Sequence, residues 1–332
     1  MKHHLATLLS GGRLSEAQAA AAMGTIMDGE ATPAQIGAFL AAMAVRGETE
    51  DEVVGFAQTM RGRAVPLRGD GAVDTCGTGG DRSGTFNIST VASLVVAACG
   101  QRVAKHGNRS ASSRCGSADV LEALGVRLDP GPDVVQRCID ELGWGFIFAP
   151  AFHAATRHAV GPRKEIGVRT AFNLLGPLTN PARPRAQVVG ISRAQDTAFL
   201  ARCLGRLGVE RAWVAHGDGL DEITLAGETH VSEWREGAVH EMVITPEDAG
   251  LEQAGVESLA GGDAAENAAI ARGVLAGETG PRRDVVLLNA AAALVVAGRA
   301  SDLRAGAGMA AEAVDAGRAA RLIEDVARMS QA

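Results

Sequence analysis

The sequence predicts an α/β protein: a small α-helical domain over residues 1–68, then a larger α/β domain over residues 69–332 with a mostly parallel central sheet. Two observations carry this prediction. Before Val65 apolar residues recur at helical spacing. Beyond Gly71 short apolar runs alternate with helical segments, the texture of parallel strands joined by crossover helices.

The elements follow in order. Leu14–Met27 and Pro33–Val45 read as helices, and Thr49 to Asp51 is a third helix start. Pro33 suits a first helical position, where its missing N–H costs nothing. The turn-like stretch Pro66 to Gly71 closes the helical unit. Strands fit Ala72–Cys76, Arg102–Lys105, Gly145–Ala149, Gln187–Ile191 and Ala212–Ala215. Helices fit Val91–Cys99, Ala118–Leu124, Asp133–Leu142 and Gln195–Leu207, each followed by a glycine (Gly100, Gly125, Gly143, Gly208) suited to a left-handed C-cap. Glu228 to Thr245 alternates apolar and polar residues around Arg235–Gly237 and predicts an antiparallel hairpin. Ala-rich helices, Asp263–Ala276, Val285–Ala297 and Met309–Met329, end the chain. Aromatic residues are only 3% with no Tyr, so the core has to be packed from Ala, Val, Leu and Ile.

A net charge of −7 argues against non-specific binding to nucleic acid or to an anionic membrane. No apolar run approaches the ~20 residues of a membrane span. The first residues lack the apolar stretch of a signal peptide. Five scattered cysteines without C-x-x-C indicate neither a disulfide framework nor a zinc site. A cytoplasmic protein is expected, and any anion it binds has to be held by a local cluster.

Four segments fall at the carboxyl ends of the expected strands, where ligands of parallel α/β sheets bind. Gly77-Thr78-Gly79-Gly80-Asp81 is either a tight turn or a loop whose N–H groups approach a phosphate unhindered by side chains. Asn87-Ile88-Ser89-Thr90 opens a helix and reads as a cap or as an anion site. Lys105 to Ser117 carries three cations and four hydroxyls in one loop, which fits a polyphosphate better than a solvated surface. Asp218-Gly219-Leu220-Asp221-Glu222 is a solvated acidic turn or a Mg²⁺ site, since Mg²⁺ binds through one or two carboxylates plus phosphates and water. Gly306 to Ala311 matches a dinucleotide fingerprint in letters only, because no strand precedes it.

Taken in sequence, Asp74 to Asp81, Phe86 to Thr90, Lys105 to Ser117, Phe148 to His153, Arg169 to Pro181, Asp218 to Thr224, Gly262 to Asn267 and Pro281 to Ala293 resemble the anthranilate phosphoribosyltransferase family over nearly the whole chain. The resemblance implies a nucleoside phosphorylase/phosphoribosyltransferase-like fold, a homodimer formed through the helical domains, and a step of tryptophan biosynthesis. That step joins anthranilate to phosphoribosyl pyrophosphate (PRPP), giving phosphoribosyl-anthranilate and pyrophosphate. It also implies that Gly77, Gly80, Asp81, Thr85, Asn87, Ile88, Ser89, Thr90, Lys105, His106, Gly107, Asn108, Arg109, Ser110, Ala111, Ser112, Ser113 and Ser117 contact PRPP. Ser89, Asp221 and Glu222 match the magnesium ligands, and Gly77, Asn108 and Arg163 the anthranilate site. At residues 161–163 the chain has Gly-Pro-Arg where the family often has Pro-Val-Arg, so that loop's backbone is expected to differ.

The chemistry agrees with these residues. Breaking the bond from ribose C1 to pyrophosphate builds negative charge on the leaving group, which Lys105, helix N–H groups and Mg²⁺ can stabilise. The nucleophile is a neutral aromatic amine, so positioning is expected to dominate, with no dedicated acid or base. A pyrimidine nucleoside phosphorylase is the nearest rival enzyme, but its motifs are missing. A nucleic-acid-binding relative conflicts with the acidic charge.

Overall fold

The computed structural model describes residues 1–81, 83–110 and 114–332. Helices α1 (Lys2–Leu9), α2 (Glu16–Met27), α3 (Pro33–Arg46) and α4 (Glu50–Arg63) form the N-terminal bundle. Three of them begin with reciprocal capping boxes, Ser15 with Gln18, Thr32 with Gln35 and Thr49 with Glu52, which satisfy N–H groups that a helix start leaves unpaired. The helix α1 was not expected from the sequence. Glu52, fully buried, ties the bundle together. It accepts from the Leu14 N–H at 2.8 Å and the Thr49 N–H at 2.9 Å, and pairs with the Arg46 guanidinium at 2.6 Å.

Strands and helices then alternate: β1 (Val73–Gly77), α5 (Ile88–Ala98), β2 (Val103–Gly107), α6 (Ser117–Ala123), α7 (Pro132–Arg137), β3 (Trp144–Phe148), α8 (Ala149–Phe152), α9 (Arg157–Ile166), α10 (Phe172–Leu178), β4 (Ala186–Gly190), α11 (Thr197–Arg206) and β5 (Arg211–Gly217). The hairpin is β6 (Thr229–Arg235) and β7 (Ala238–Ile244), followed by α12 (Ala264–Leu275), α13 (Pro281–Val296), α14 (Leu303–Asp315) and α15 (Arg318–Met329). The seven strands lie in the order β3-β2-β1-β4-β5-β6-β7, parallel from β3 to β5, with β6 and β7 antiparallel.

Both faces of the sheet are covered. On one face lie α5, α13, α14 and α15. Every residue of α13 from Val285 to Val296 is buried, and Ala290 to Ala293 are wholly so, the small-residue core that the scarcity of aromatics predicted. The other face packs on α10 and α11, and its apolar cluster runs without a break into the bundle through Met23, Phe39, Phe56 and Leu204. The helix α9 returns from the α/β half of the chain to pack on α3.

Three expectations need correction. The single helix expected over Met309–Met329 is two, because Gly317 adopts a left-handed φ of 68° and its N–H turns back to the Val314 carbonyl at 2.8 Å. The segment around Arg163 is no loop: it is the second half of α9, with Pro162 inside the helix and buried. Third, β2 runs on to Gly107, so Lys105 and His106 belong to a buried strand rather than to the loop after it.

Gly55 on α4 marks the closest approach of α2 and α4, where a Cβ would stand 2.3 Å from the Glu16 carbonyl oxygen. Gly55→Ala should therefore lower unfolding free energy by about 1–3 kcal/mol, measured by denaturant titration. An unchanged midpoint would show that the two helices can separate at no cost.

Candidate active site

Strands β1 and β2 pair only at Val73 opposite Val103, whereas β1 and β4 pair along all five residues. Side chains take over where this ladder stops. The Lys105 ammonium, 2% exposed, donates to the Thr75 carbonyl at 2.5 Å. Asp74, wholly buried, accepts from the His106 N–H at 3.2 Å and from the Asn180 amide at 2.8 Å. Asn180 also donates to the Ala104 carbonyl at 2.8 Å. Burial pushes the Asp74 carboxyl up and the Lys105 ammonium down, and each opposes the other's shift by its charge.

The acidic turn after β5 is brought under the glycine loop after β1. Gly79 donates its N–H to Asp221 Oδ2 at 2.5 Å, and a Cβ on Gly77 would stand 2.7 Å from that oxygen. Gly190 at the end of β4 is tighter still, since a Cβ there would fall 1.6 Å from the Asp221 carbonyl oxygen. Only glycine admits the turn this close. Glu222 reaches the start of α5, where its Oε1 accepts from the Ser89 N–H at 3.1 Å. A carboxylate thus sits at a helix N-terminus, where the dipole favours it. Burial nonetheless pushes Glu222 up to about 7 against the pull of Lys105 and Ser89. Asp221 is raised by burial and then by the neighbouring charges of Asp81 and Glu222.

Around this centre the other singled-out residues fall as follows. Asp81 accepts from the Ser83 hydroxyl at 2.7 Å and, weakly, from the Asp221 N–H at 3.4 Å, while Thr85 bridges to Ala260. Gly80 has a left-handed φ of 88° with open space beside it. Asn87 does not cap α5. Its amide donates to the Cys115 carbonyl at 3.2 Å and its oxygen accepts from Asn267 at 3.0 Å, so it ties three segments together instead. Ile88 and Thr90 are buried in the first turn of α5. Gly107 lies against Ser117, whose hydroxyl would be 2.3 Å from a Cβ there, and that hydroxyl donates to the Asn108 carbonyl at 3.1 Å.

The cations do not gather as the sequence suggested. Lys105 points into the sheet. The Arg109 guanidinium pairs with Asp119 at 2.7 Å and Glu122 at 2.8 Å on α6, and Arg114 lies 73% exposed, 4.0 Å from Glu266. Proximity in sequence did not survive because carboxylates on α6 and α12 are nearer partners. Ser110 donates its N–H to Asp119 at 3.2 Å, and Ala111, Ser112 and Ser113 lie outside the described residues.

A second region adjoins α10. His106 Nδ1 donates to the Gly176 carbonyl at 3.1 Å, which fixes the neutral tautomer and leaves Nε2 a buried acceptor with no partner among the described residues. The His153 ring lies 5.3 Å away, its Nε2 likewise unpartnered, and burial lowers His106 to about 3 and His153 to about 4. The Arg163 guanidinium lies 4.7 Å from the centre of the Phe172 ring at the start of α10. No hydrogen bond or ion pair joins Arg163 to Gly77 or Asn108 among the described residues; α10 links it to His106 instead. Asp74, Asn180, His153 and Asn289 are site-building residues to which sequence reasoning gave no role. All four lie within the segments that carry the family resemblance, and Asp74 and Asn289 also stand out as polar residues in otherwise apolar runs.

The helical bundle domain of the glycosyl transferase family matches residues 2–64, and that family's a/b domain matches residues 69–320. An anthranilate phosphoribosyltransferase of Moorella thermoacetica is 55% identical over 98% of this chain and 96% of its own length. The crystal structure of the enzyme of that name from Thermus thermophilus superposes with a TM-score of 0.95 at 45% identity, over 99% of each chain. One from Saccharomyces cerevisiae in complex with PRPP and Mg gives a TM-score of 0.90 at 25% identity, over 99% of this chain and 97% of that one.

The two buried histidines set a pH dependence. Their folded pKa values lie below the unfolded value of 6.5, so the unfolded chain binds more protons between about pH 6.5 and 4. Stability is full above that window and falls with acidification, by about 2 kcal/mol for each histidine at pH 5. Thermal unfolding should show Tm dropping from pH 7 to pH 5, with a shallower drop in His153→Gln. An equal drop in that variant would assign the acid sensitivity to other groups.

Proposed function

The chain belongs to the anthranilate phosphoribosyltransferases, enzymes that move the phosphoribosyl group of PRPP onto the amine of anthranilate in tryptophan biosynthesis, and we propose that it does so with the loops described above. The observation that carries the assignment of roles is the meeting of the β1 glycine loop, the α5 start and the Asp221-Glu222 turn at one point.

In this reading the phosphates of PRPP are held by Gly77, Gly80, Asp81, Thr85, the α5 start from Asn87 to Thr90, and the stretch from Lys105 through Ser113 to Ser117. Anthranilate binds against Gly77, Asn108 and Arg163. Mg²⁺ is held through Ser89, Asp221 and Glu222. Fit is supported by the donor set: hard oxygen ligands, half-buried and crowded by a third carboxylate at Asp81. Among the described residues no group of three His, Cys, Asp or Glu is placed to cage a metal. Two carboxylates and a hydroxyl leave positions for substrate phosphates and water, the habit of Mg²⁺. Mg²⁺ when bound supplies charge to the departing pyrophosphate.

The chain's own residues supply the rest. The bond from C1 to the pyrophosphate oxygen breaks as the amine nitrogen bonds to C1. N–H groups of the glycine loop and of the α5 start would stabilise the charge that builds on the leaving oxygens. Lys105 acts electrostatically from within the sheet, offsetting Asp74 and Glu222. His106 is held neutral beside α10, its Nδ1 donating to the Gly176 carbonyl. Domain roles follow: residues 1–68 as dimer interface, 69–332 as the part that binds PRPP and magnesium. We place the reaction in the cytoplasm, because a donor bearing phosphate and pyrophosphate does not cross a membrane unaided.

Loss of anthranilate fluorescence on mixing with PRPP and Mg²⁺ tests the activity directly. Asp221→Asn with Glu222→Gln should reduce turnover by orders of magnitude without lowering Tm, since like charges are relieved; retained turnover would remove the pair from the mechanism. Arg163→Ala should raise the anthranilate KM roughly ten- to a hundredfold, the worth of hydrogen bonds to a carboxylate. Arg163→Lys should restore part of this, because an ammonium cannot match the fork. A rise in the PRPP KM instead would move Arg163 to the phosphate site. For the dimer, Leu9 and Val45 stand 74% and 91% exposed at the ends of α1 and α3. Light scattering should give twice the chain mass of 34.0 kDa, and Leu9→Asp with Val45→Asp should halve it. A monomer in the unaltered protein would refute the interface.

A further inference from the structure

We propose that Asn289 is a positioning residue that fixes the Asp221-Glu222 pair for metal binding, an inference that rests on the magnesium site proposed above. Helix α13 is apolar throughout its buried length, from Val285 to Val296, except at Asn289. An amide in that setting is stable only if its groups are paired. Its Oδ1 accepts from the Ile223 N–H at 3.1 Å, and its Nδ2 donates to the Ile223 carbonyl at 2.8 Å and the Val285 carbonyl at 2.9 Å.

Asn289 thereby grips both backbone groups of the residue that follows Glu222, as a neighbouring strand would. From the opposite side the same turn is seated on Gly190 and Gly77, which leave no room for retreat. A small cavity of about 10 Å³ lies between Gly190 and Asn289, lined also by Glu222, Ser89 and Thr75, so slack at residue 289 gives Glu222 room to shift. The turn is therefore clamped between two glycines and one amide. Two hard ligands held by a rigid support bind an ion without first ordering themselves, and loss of such outer support costs about ten- to a hundredfold in metal affinity.

The test uses the full-length enzyme with Mn²⁺ as probe. Asn289→Ala removes every contact. Asn289→Ser keeps a hydroxyl that can turn back to the Val285 carbonyl while freeing Ile223. Both variants should need about ten- to a hundredfold more Mg²⁺ for half-maximal turnover. Both should bind Mn²⁺ correspondingly more weakly by electron paramagnetic resonance in the presence of PRPP. The anthranilate KM should stay unchanged and kcat should recover at saturating Mg²⁺. Unaltered metal dependence, accompanied only by lower Tm, lower kcat or a raised anthranilate KM, would overturn the proposal and make Asn289 a packing residue of α13. Failure of both variants to fold would overturn it too, since a residue that only positions the turn is dispensable to the core. The Asp221→Asn, Glu222→Gln protein separates the two ideas: if it binds Mn²⁺ as tightly as the unaltered enzyme, the metal site itself is misassigned.

Discussion

The site depends on the early parting of β1 and β2. A parallel ladder that stops after one residue pair leaves backbone groups of both strands without partners inside the protein, a costly condition. Asp74, Lys105 and Asn180 remove that cost by side-chain bonds to His106, Thr75 and Ala104. Two opposite charges buried side by side are expensive to desolvate, so the cluster adds little stability on balance. Its effect is geometric. It holds the ends of the two strands apart at a fixed spacing, and the loops that leave Gly77 and Gly107 inherit it.

This arrangement explains how an acidic protein can receive a polyanion. Two of the basic side chains near the site have partners within the fold: Lys105 in the sheet interior and Arg109 on the carboxylates of α6. In the reading proposed above, phosphate is met by backbone N–H of the glycine loop and the α5 start together with a divalent cation. Such a site is selective for geometry rather than for charge, which suits a reaction in which positioning and leaving-group stabilisation matter most.

The bundle and the α/β domain are joined by charge as well as by apolar packing. Arg61 of α4 is buried and donates to the Leu178 carbonyl at 2.6 Å and the Leu207 carbonyl at 2.8 Å, at the ends of α10 and α11. Helix C-termini carry unpaired carbonyls and partial negative charge, so a guanidinium there serves two helices at once. The helix α10 in turn places Phe172 under Arg163 and Gly176 on His106. The bundle therefore sets the position of the region assigned to the acceptor.

Much of this was legible in sequence because it is local. Periodicity, Pro33 with Thr32, and the glycines after helices specify elements through backbone preferences that need no distant partner. The loops Gly77 to Asp81 and Asp218 to Glu222 could be read as candidates because they follow expected parallel strands, at whose carboxyl ends ligands bind. What sequence could not show is which way side chains turn once partners from far along the chain arrive. Asn87 read as part of a cap or an anion site, and its side chain bonds across to Cys115 and Asn267. Lys105 read as a loop cation but is drawn into the sheet by Asp74 and the Thr75 carbonyl, and Asn289 read as one residue in a helix yet holds the acidic turn. Local propensity determined the elements and their order; burial, which obliges every polar group to find a partner wherever the fold supplies one, determined the site.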